Sequence, residues 1–342
     1  MPYPSDSVEL YPIRFNPLFQ DYLWGGCRLG TDLGKPVGNR EAVAESWEIV
    51  DHGRQQSVVR FGPLTGKTLA EMVKEVGAEL LGETILDKIR DSNRPESLQN
   101  RFPLLLKFLD ANQSLSVQVH PDDQMGATLE EPDLGKTEAW FVMDALPGSR
   151  VYAGLKEEVT PADLRKSFET NCMESLLHSF YPHPGDCIFI PAGTVHAIGA
   201  GLLIAEVQQC SNTTFRLCDW GRLDKDGKPR ALQFEEGMSA IDFARGPVNA
   251  QVPKRVDDVT DSIVDCNQFK IERIRLSSGH RFHTGGSFRI IAVIKGSVWV
   301  DGDPCGQPME RGGTCLIPAC LGSFRVEVGP QSEFLLISPG SV

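Results

Sequence analysis

Two short strand-like segments, each carrying candidate metal ligands, restrict this chain to a small group of β folds. The first segment contains Gln118 and His120, which point to the same side because side chains alternate along an extended strand. The second segment runs from Gly185 to His196 and reads GDCIFIPAGTVH. Its apolar run and Pro-Ala-Gly turn present the histidine at the start of the next strand. Together the two segments predict a β-barrel that encloses a metal site.

A third strand-like segment, GKTEAWFV, contributes a carboxylate to the same candidate site. Glu138 lies at the point where this segment becomes apolar. The four candidate ligands are Gln118, His120, Glu138 and His196. Nitrogen and oxygen donors of these types suit a divalent ion of intermediate softness. Zinc is the first choice of ion, and iron and manganese remain open.

Most of the remaining chain consists of short β-branched and aromatic runs separated by glycine and proline, as in barrels and jelly rolls. Two segments depart from this pattern. Apolar residues at helical spacing follow Thr68, which can cap a first turn, and Thr160 is followed by a proline, which is favoured at the first helical position. We therefore expect helical insertions near residues 66–98 and 160–180.

The C-terminal part repeats the ligand segments in a degenerate form. When its GSFRIIAV run is aligned with GKTEAWFV, Arg289 takes the place of Glu138. When the Gly-x5-Pro segments that follow are aligned, Ser323 takes the place of His196. A guanidinium group repels a cation, and a neutral hydroxyl binds one weakly. The second copy is therefore predicted to hold no metal.

The repeat predicts two domains in a mainly β chain. Residues 1–245 are expected to form a catalytic jelly-roll barrel that contains the helical insertions. Residues 246–342 are expected to form a degenerate, metal-free barrel, so that each chain binds one Zn2+ ion.

Composition excludes several classes of function. The net charge of −12 argues against nucleic-acid binding, which needs a basic surface. The chain has no apolar run long enough to span a bilayer, and its first residues lack the basic and apolar regions of a signal peptide. Nine cysteines without a Cys-x-x-Cys motif fit reduced thiols. We expect a cytoplasmic protein without a membrane partner, and the sequence leaves its oligomeric state open.

Longer motifs extend from these segments across most of the first predicted domain. They include AESWEI from Ala44, FPLLLKFLDA from Phe102, LSVQVHPDD from Leu115, GKTEAW from Gly135 and EVQQCSNTTFR from Glu206. In these motifs the chain resembles the short bacterial type I mannose-6-phosphate isomerases of the cupin superfamily. The resemblance covers residues 13 to about 222 in the family's order. It implies cupin-type jelly rolls and a zinc-dependent isomerase that interconverts mannose 6-phosphate and fructose 6-phosphate through an enediol.

The resemblance also assigns roles to single residues, beginning with the four metal ligands named above. It implies that Arg216 is a catalytic cation over the developing enediolate oxygen, and it makes Glu206 the first choice of general base. Lys136 matches a position in the family's substrate pocket and is a further catalytic candidate. Ser116 shares the ligand-bearing face of the first segment by strand alternation, and Ser116 and Lys107 are candidates for binding the sugar phosphate. For Glu206 a purely structural role on the barrel wall stays open, and for Arg216 a structural ion pair with an acid such as Asp219 stays open.

Two departures from the family pattern keep other functions open. Cys210 and Asn212 stand where relatives commonly read Asn-Ser-Asp, so an acid that assists proton transfer is neutral here. Cys218 replaces an aromatic residue, which predicts an altered pocket wall. The alternatives are an iron-dependent cupin oxygenase and a sugar-phosphate-binding cupin without catalytic activity.

Overall fold

The computed structural model describes residues 9–91, 93–170, 172–224 and 226–340. The start of the chain, on which the expectation about a signal peptide rests, lies outside the described residues. The strands are, in chain order, β1 (Phe15–Asn16), β2 (Leu18–Gln20), β3 (Glu45–Ile49), β4 (Asp51–His52), β5 (Gln55–Gln56), β6 (Val58–Val59), β7 (Leu104–Ala111), β8 (Val117–Val119), β9 (Glu138–Ala145), β10 (Val151–Leu155), β11 (Leu177–Phe180), β12 (Cys187–Ile190), β13 (His196–Ile198), β14 (Leu202–Gln209), β15 (Phe215–Cys218), β16 (Lys254–Arg255), β17 (Thr260–Asp265), β18 (Phe269–Leu276), β19 (His280–His283), β20 (Arg289–Lys295), β21 (Val298–Val300), β22 (Thr314–Ile317), β23 (Ser323–Val328) and β24 (Ser332–Pro339).

Within the described residues the helices are fewer than the strands. They are α1 (Arg28–Thr31), α2 (Leu69–Leu81), α3 (Glu83–Ile89), α4 (Asp123–Gly126), α5 (Pro161–Glu169) and α6 (Phe234–Ala240). Single 3-10 turns occur at Glu96–Leu98, Met173–Leu176 and Ala319–Leu321. In the described ranges no helix combines the length and the apolar character needed to cross a bilayer.

The chain forms two compact units that each combine separate stretches of sequence. The central unit comprises the described residues of Leu18–Trp47 and Leu104–Val252, and the terminal unit those of Met1–Pro17, Glu48–Pro103 and Pro253–Val342. This division differs from the linear boundary at residue 245 that the repeat predicts. Residues 48–103 belong with the C-terminal strands because Phe102 packs on Phe288, with 4.7 Å between ring centroids, and Thr314 donates a hydrogen bond to Glu48.

The central unit places a six-stranded sheet, in the order β12-β9-β14-β7-β3-β2, against a five-stranded sheet, in the order β11-β10-β13-β8-β15. The six-stranded sheet contributes Leu109, Trp140 and Ile204 to the core between the sheets. The five-stranded sheet contributes Val151 and Ile198. Burial of these apolar side chains from both layers holds the sheets face to face.

Helices α5 and α6 contribute to a second apolar cluster that includes side chains of the five-stranded sheet. Thr160 and Asp163 form the capping box that starts α5, in agreement with the sequence prediction. The rings of Phe168 and Phe234 stack at 3.9 Å. The predicted insertion at 160–180 is only partly helical, because β11 pairs with β10 from Leu177 onwards.

The terminal unit repeats this architecture with smaller sheets. Its six-stranded sheet has the order β16-β17-β18-β24-β20-β22, and its three-stranded sheet has the order β19-β23-β21. Ile291 and Phe334 from the larger sheet meet Val298 and Phe324 from the smaller one in a buried core. This unit also carries α2 and α3, which the sequence predicts as one helical insertion.

Gly82 separates these two helices because its φ of 91° is incompatible with a continuing helix. A second feature also prevents any residue with a side chain from replacing this glycine. A Cβ atom on Gly82 would lie 2.0 Å from the carbonyl oxygen of Gly286, far inside contact distance. Thr68 caps α2 through a capping box with Glu71, as the sequence indicates.

Corresponding strands of the two units pair in the same register. In β9 and β12 Glu138 is the partner of Ile190, and in β20 and β22 Arg289 is the partner of Ile317. These pairs agree with the alignment in which Arg289 is the equivalent of Glu138. The chain is thus mainly β with a cupin-type arrangement of antiparallel sheets. Among the described residues the strands form separate layers and do not close into one continuous barrel.

Candidate active site

Three buried side chains converge between the sheets of the central unit. Glu138 begins β9 in the six-stranded sheet, His120 follows β8, and His196 begins β13 in the five-stranded sheet. One oxygen of Glu138 lies 3.4 Å from Nε2 of His120, and the other lies 3.3 Å from Nε2 of His196. All three residues are at most 1% exposed. The candidate ligand atoms lie within 4.8 Å of one another, which is close enough for one ion to bind them all.

Backbone carbonyl groups orient both imidazole rings. Nδ1 of His120 lies 3.0 Å from the carbonyl oxygen of Thr213, and Nδ1 of His196 lies 2.9 Å from that of Thr194. A carbonyl oxygen only accepts hydrogen bonds, so Nδ1 carries the proton and Nε2 points its lone pair at the centre. Burial lowers the pKa of His120 to about 3 and lowers that of His196 as well. Both rings are therefore neutral at pH 7, the form that binds metals.

Glu138 completes an environment that favours a cation. Its Oε2 is buried and accepts no hydrogen bond within the described part of the chain. The ammonium group of Lys136 lies 3.2 Å from this oxygen and 3.1 Å from Nε2 of His120. Although burial opposes ionisation, Lys136 and the histidines hold the pKa of Glu138 well below its usual range. Two imidazole nitrogens and a carboxylate are a donor set that fits a divalent metal.

Gln118 lies at the edge of this cluster, with its amide Nε2 3.2 Å from Nε2 of His196. Its amide oxygen faces the hydroxyl of Ser116 at 3.5 Å. Binding a metal through the oxygen therefore requires the amide to turn over. The strand prediction that these two side chains share a face is confirmed, because both line the same cavity.

A cavity of about 280 Å³ opens beside the cluster. The sequence-predicted residues that line it are Ser116, Lys107, Lys136, Glu206, Arg216 and Gln118. Further lining residues include Tyr22, Trp24, Glu45, Asn212, Thr214 and Arg230. The structure thus gathers every proposed substrate and catalytic residue around one space.

Lys107 and Glu206 are partners within this cavity. The Lys107 ammonium lies 3.2 Å from Oε1 of Glu206 and 3.4 Å from Oε1 of Glu45. Burial, together with the charge of Glu138, raises the pKa of Glu206 to about 7 against the opposing effect of Lys107. A carboxylate with this pKa can both take up and release a proton at neutral pH.

Arg216 is held beside the cluster by pairing of β15 with β8, in which its partner is Gln118. Its Nη1 donates a hydrogen bond to the carbonyl oxygen of Ala231 at 2.9 Å, and its buried Nε has no hydrogen-bond partner within the described residues. The alternative of a structural ion pair with Asp219 is not observed, because Asp219 is bound by two other arginines.

The prediction that Cys218 alters the wall of this cavity is wrong. Cys218 lines a separate pocket together with Phe168 and Leu217. The register of β15 shifts between Arg216 and Cys218, which breaks the alternation of faces expected two residues apart. Asn212, the other departure, does line the cavity.

Sequence reasoning missed Glu45 and Arg230 as cavity residues. Glu45 accepts a hydrogen bond from Nε1 of Trp47 at 2.5 Å and approaches Lys107 from β3. A signal was present, because Glu45 lies in the AESWEI segment close to the start of the resemblance. Arg230 follows a proline in an irregular segment and carries no recognisable motif.

Comparison with known proteins identifies the relatives of this chain. The family model for phosphomannose isomerase type I, catalytic domain, matches residues 13–138. Mannose-6-phosphate isomerase ManA from Bacillus subtilis (strain 168) is 34% identical over 318 residues, which cover 92% of this chain and 96% of that protein. The mannose-6-phosphate isomerase from Streptococcus mutans is 31% identical over 319 residues, covering 92% and 95% of the two chains.

A solved structure of a mannose 6-phosphate isomerase has the same fold as this chain. The crystal structure of the mannose 6-phosphate isomerase from Bacillus subtilis has a TM-score of 0.83 to this chain at 28% sequence identity. The aligned region covers 96% of this chain and 99% of the other. With relatives above 30% identity along nearly its whole length, the chain belongs to the type I phosphomannose isomerase family of enzymes.

Proposed function

We propose that this protein is a zinc-dependent isomerase that interconverts mannose 6-phosphate and fructose 6-phosphate by enediol proton transfer. The observation that best supports this function is the buried cluster of His120, Glu138 and His196. The cavity beside it is lined by Glu206, a carboxylate of raised pKa, and by the partly buried Arg216. Relatives in two bacteria bear the name of this activity. The chemistry of the cavity supports the same reaction.

The proposed zinc ligands are His120, Glu138 and His196, with the amide oxygen of Gln118 as a fourth after rotation of the amide. Zinc, when bound, supplies a Lewis acid that stabilises negative charge on the sugar oxygens. One ion per chain is expected, because the equivalent positions of the terminal unit hold an arginine and a serine.

Glu206 is the proposed base that moves the proton between C2 and C1 of the sugar. This step removes a weakly acidic C–H proton next to a carbonyl group, so the base has to be close and correctly ionised. Lys107 was expected to bind substrate, but its contacts with two carboxylates favour a role in keeping Glu206 in place and charged.

Three further polar groups act on the sugar oxygens in this proposal. The Arg216 guanidinium stabilises the enediolate oxygen, which gains negative charge as the proton leaves. The Lys136 ammonium donates to a substrate oxygen near the metal ligands, and the Ser116 hydroxyl binds a sugar hydroxyl. All three side chains line the cavity.

Conversion of the sugar phosphate is the direct test of this function. The purified protein is incubated with mannose 6-phosphate, and fructose 6-phosphate is followed before and after chelation and after addition of zinc. We expect the isomerase activity to be lost on chelation and to be recovered when zinc is added. Oxygen consumption by iron-loaded protein without isomerisation would indicate the oxygenase, and tight binding without conversion would indicate the non-catalytic protein.

Replacement of one ligand should remove metal and activity together. His196→Ala leaves too few donors to hold the ion, so zinc content and turnover should both fall to background. The matched control is Ser323→Ala at the equivalent position of the terminal unit, which should retain both. Metal analysis and isomerase assays on the two variants provide the comparison, and full zinc occupancy in His196→Ala would remove this residue from the site.

The pH dependence of kcat should report the ionisation of Glu206. The carboxylate form acts as the base, and the pKa of Glu206 is raised to about 7, so kcat should rise as pH increases through about 7. Lys107→Met removes a positive charge that lowers this pKa, so the rising limb should move to higher pH. A limb that stays in place in Lys107→Met would contradict the assignment of Glu206.

Loss of the Arg216 guanidinium should affect turnover and spare the metal. One preorganised donor to a developing oxyanion is typically worth about 10² to 10³ in rate, so Arg216→Ala should lower kcat by that factor. Zinc content should remain at one ion per chain. Arg245→Ala, which changes an arginine paired with Asp242 outside the cavity, serves as the control. Near-normal kcat in Arg216→Ala would refute the catalytic role.

A further inference from the structure

The two lysines of the cavity already have anionic partners. Lys107 lies between the carboxylates of Glu45 and Glu206, and Lys136 contacts Glu138. Both ammonium groups are close to fully buried. A substrate phosphate bound by either lysine would have to approach these carboxylates, and like charges at such distances repel strongly.

Positive charge is in excess next to another part of the cavity wall. Arg222 and Arg230 both bind Asp219, and Arg216 lies close enough to Arg230 that the two guanidinium charges repel. Asp219 therefore offsets only one of the three positive charges in this group. A phosphate monoester carries between one and two negative charges at neutral pH and is well matched by such a group of arginines.

Of Arg222 and Arg230, only Arg230 also lines the catalytic cavity. Asp219 accepts from its Nε at 2.7 Å and from its Nη2 at 2.5 Å, which fixes the guanidinium plane. Within the described residues Nη1 of Arg230 has no hydrogen-bond acceptor. The next residue, Ala231, holds Nη1 of Arg216 through its carbonyl oxygen, so the two arginines are positioned by the same stretch of backbone.

Arg222 has a different arrangement although it shares the same carboxylate. Its Nη1 donates to the carbonyl oxygen of Ser114 at 2.5 Å, and its Nη2 donates to Asp219 at 2.5 Å. It lines the pocket that contains Cys218 and does not line the catalytic cavity.

We infer that Arg230 binds the phosphate group of the substrate through Nη1 and thereby sets the affinity for phosphorylated sugars. Asp219 is a positioning residue that holds this guanidinium at the cavity wall. The inference rests on the proposed isomerase function and adds to it the residue that recognises the phosphate, a role for which the sequence analysis named Ser116 and Lys107.

The test compares Arg230→Gln with Arg222→Gln in zinc-loaded protein. A hydrogen bond between charged groups is worth enough that its loss weakens binding by roughly 10- to 100-fold. Arg230→Gln should therefore raise the KM for mannose 6-phosphate and the inhibition constant of inorganic phosphate by this factor, with kcat within about threefold of the unaltered protein. The inhibition constant of unphosphorylated mannose should not change. Arg222→Gln should leave both phosphate-dependent constants within about threefold.

Three results would overturn the inference. They are an unchanged inhibition constant for phosphate in Arg230→Gln, an equal loss in Arg222→Gln, and an equal loss for unphosphorylated mannose. Failure of the proposed function is distinguishable, because it would show as absent conversion by the unaltered protein. In that case calorimetric binding of inorganic phosphate to the same variants still decides the role of Arg230.

Discussion

The buried carboxylate of Glu138 is the interaction on which the site depends. A charge at 1% exposure is stable only when positive or hydrogen-bonding groups surround it. Here the two histidines present neutral nitrogens to the same point, and Lys136 provides the nearest positive charge. A divalent cation would satisfy the carboxylate and both imidazole nitrogens at once. The apolar core between the two sheets fixes the strands that carry them, so the fold maintains the cluster before any ion binds.

Charge in and around the cavity is divided between two regions with different chemistry. Carboxylates dominate near the cluster, where Glu45 and Glu206 enclose Lys107. Guanidinium groups dominate around Asp219. A sugar phosphate has a matching division, with hydroxyl and carbonyl oxygens for the metal and the base at one end and a dianion at the other. Under the proposed function, this division would let a chain of net charge −12 bind an anionic substrate.

Local patterns in the sequence predicted those features that local physics determines. Strand alternation placed Ser116 and Gln118 on one face, and Thr68 and Thr160 marked the starts of helices correctly. Features that depend on distant contacts could not be predicted in this way. The assignment of residues 48–103 to the terminal unit rests on packing with residues far away in the sequence, such as the contact of Phe102 with Phe288. The register shift before Cys218 and the entry of Arg230 into the cavity likewise leave no local signal.

The measurement that tests the central claim most directly is a titration of metal-stripped protein with zinc, in which isomerase activity is recorded against zinc bound per chain. A single site at His120, Glu138 and His196 predicts that activity rises in proportion to bound zinc and stops rising at one equivalent. Activity that is independent of bound zinc, or that continues to rise to two equivalents, would contradict a single catalytic metal centre in the central unit.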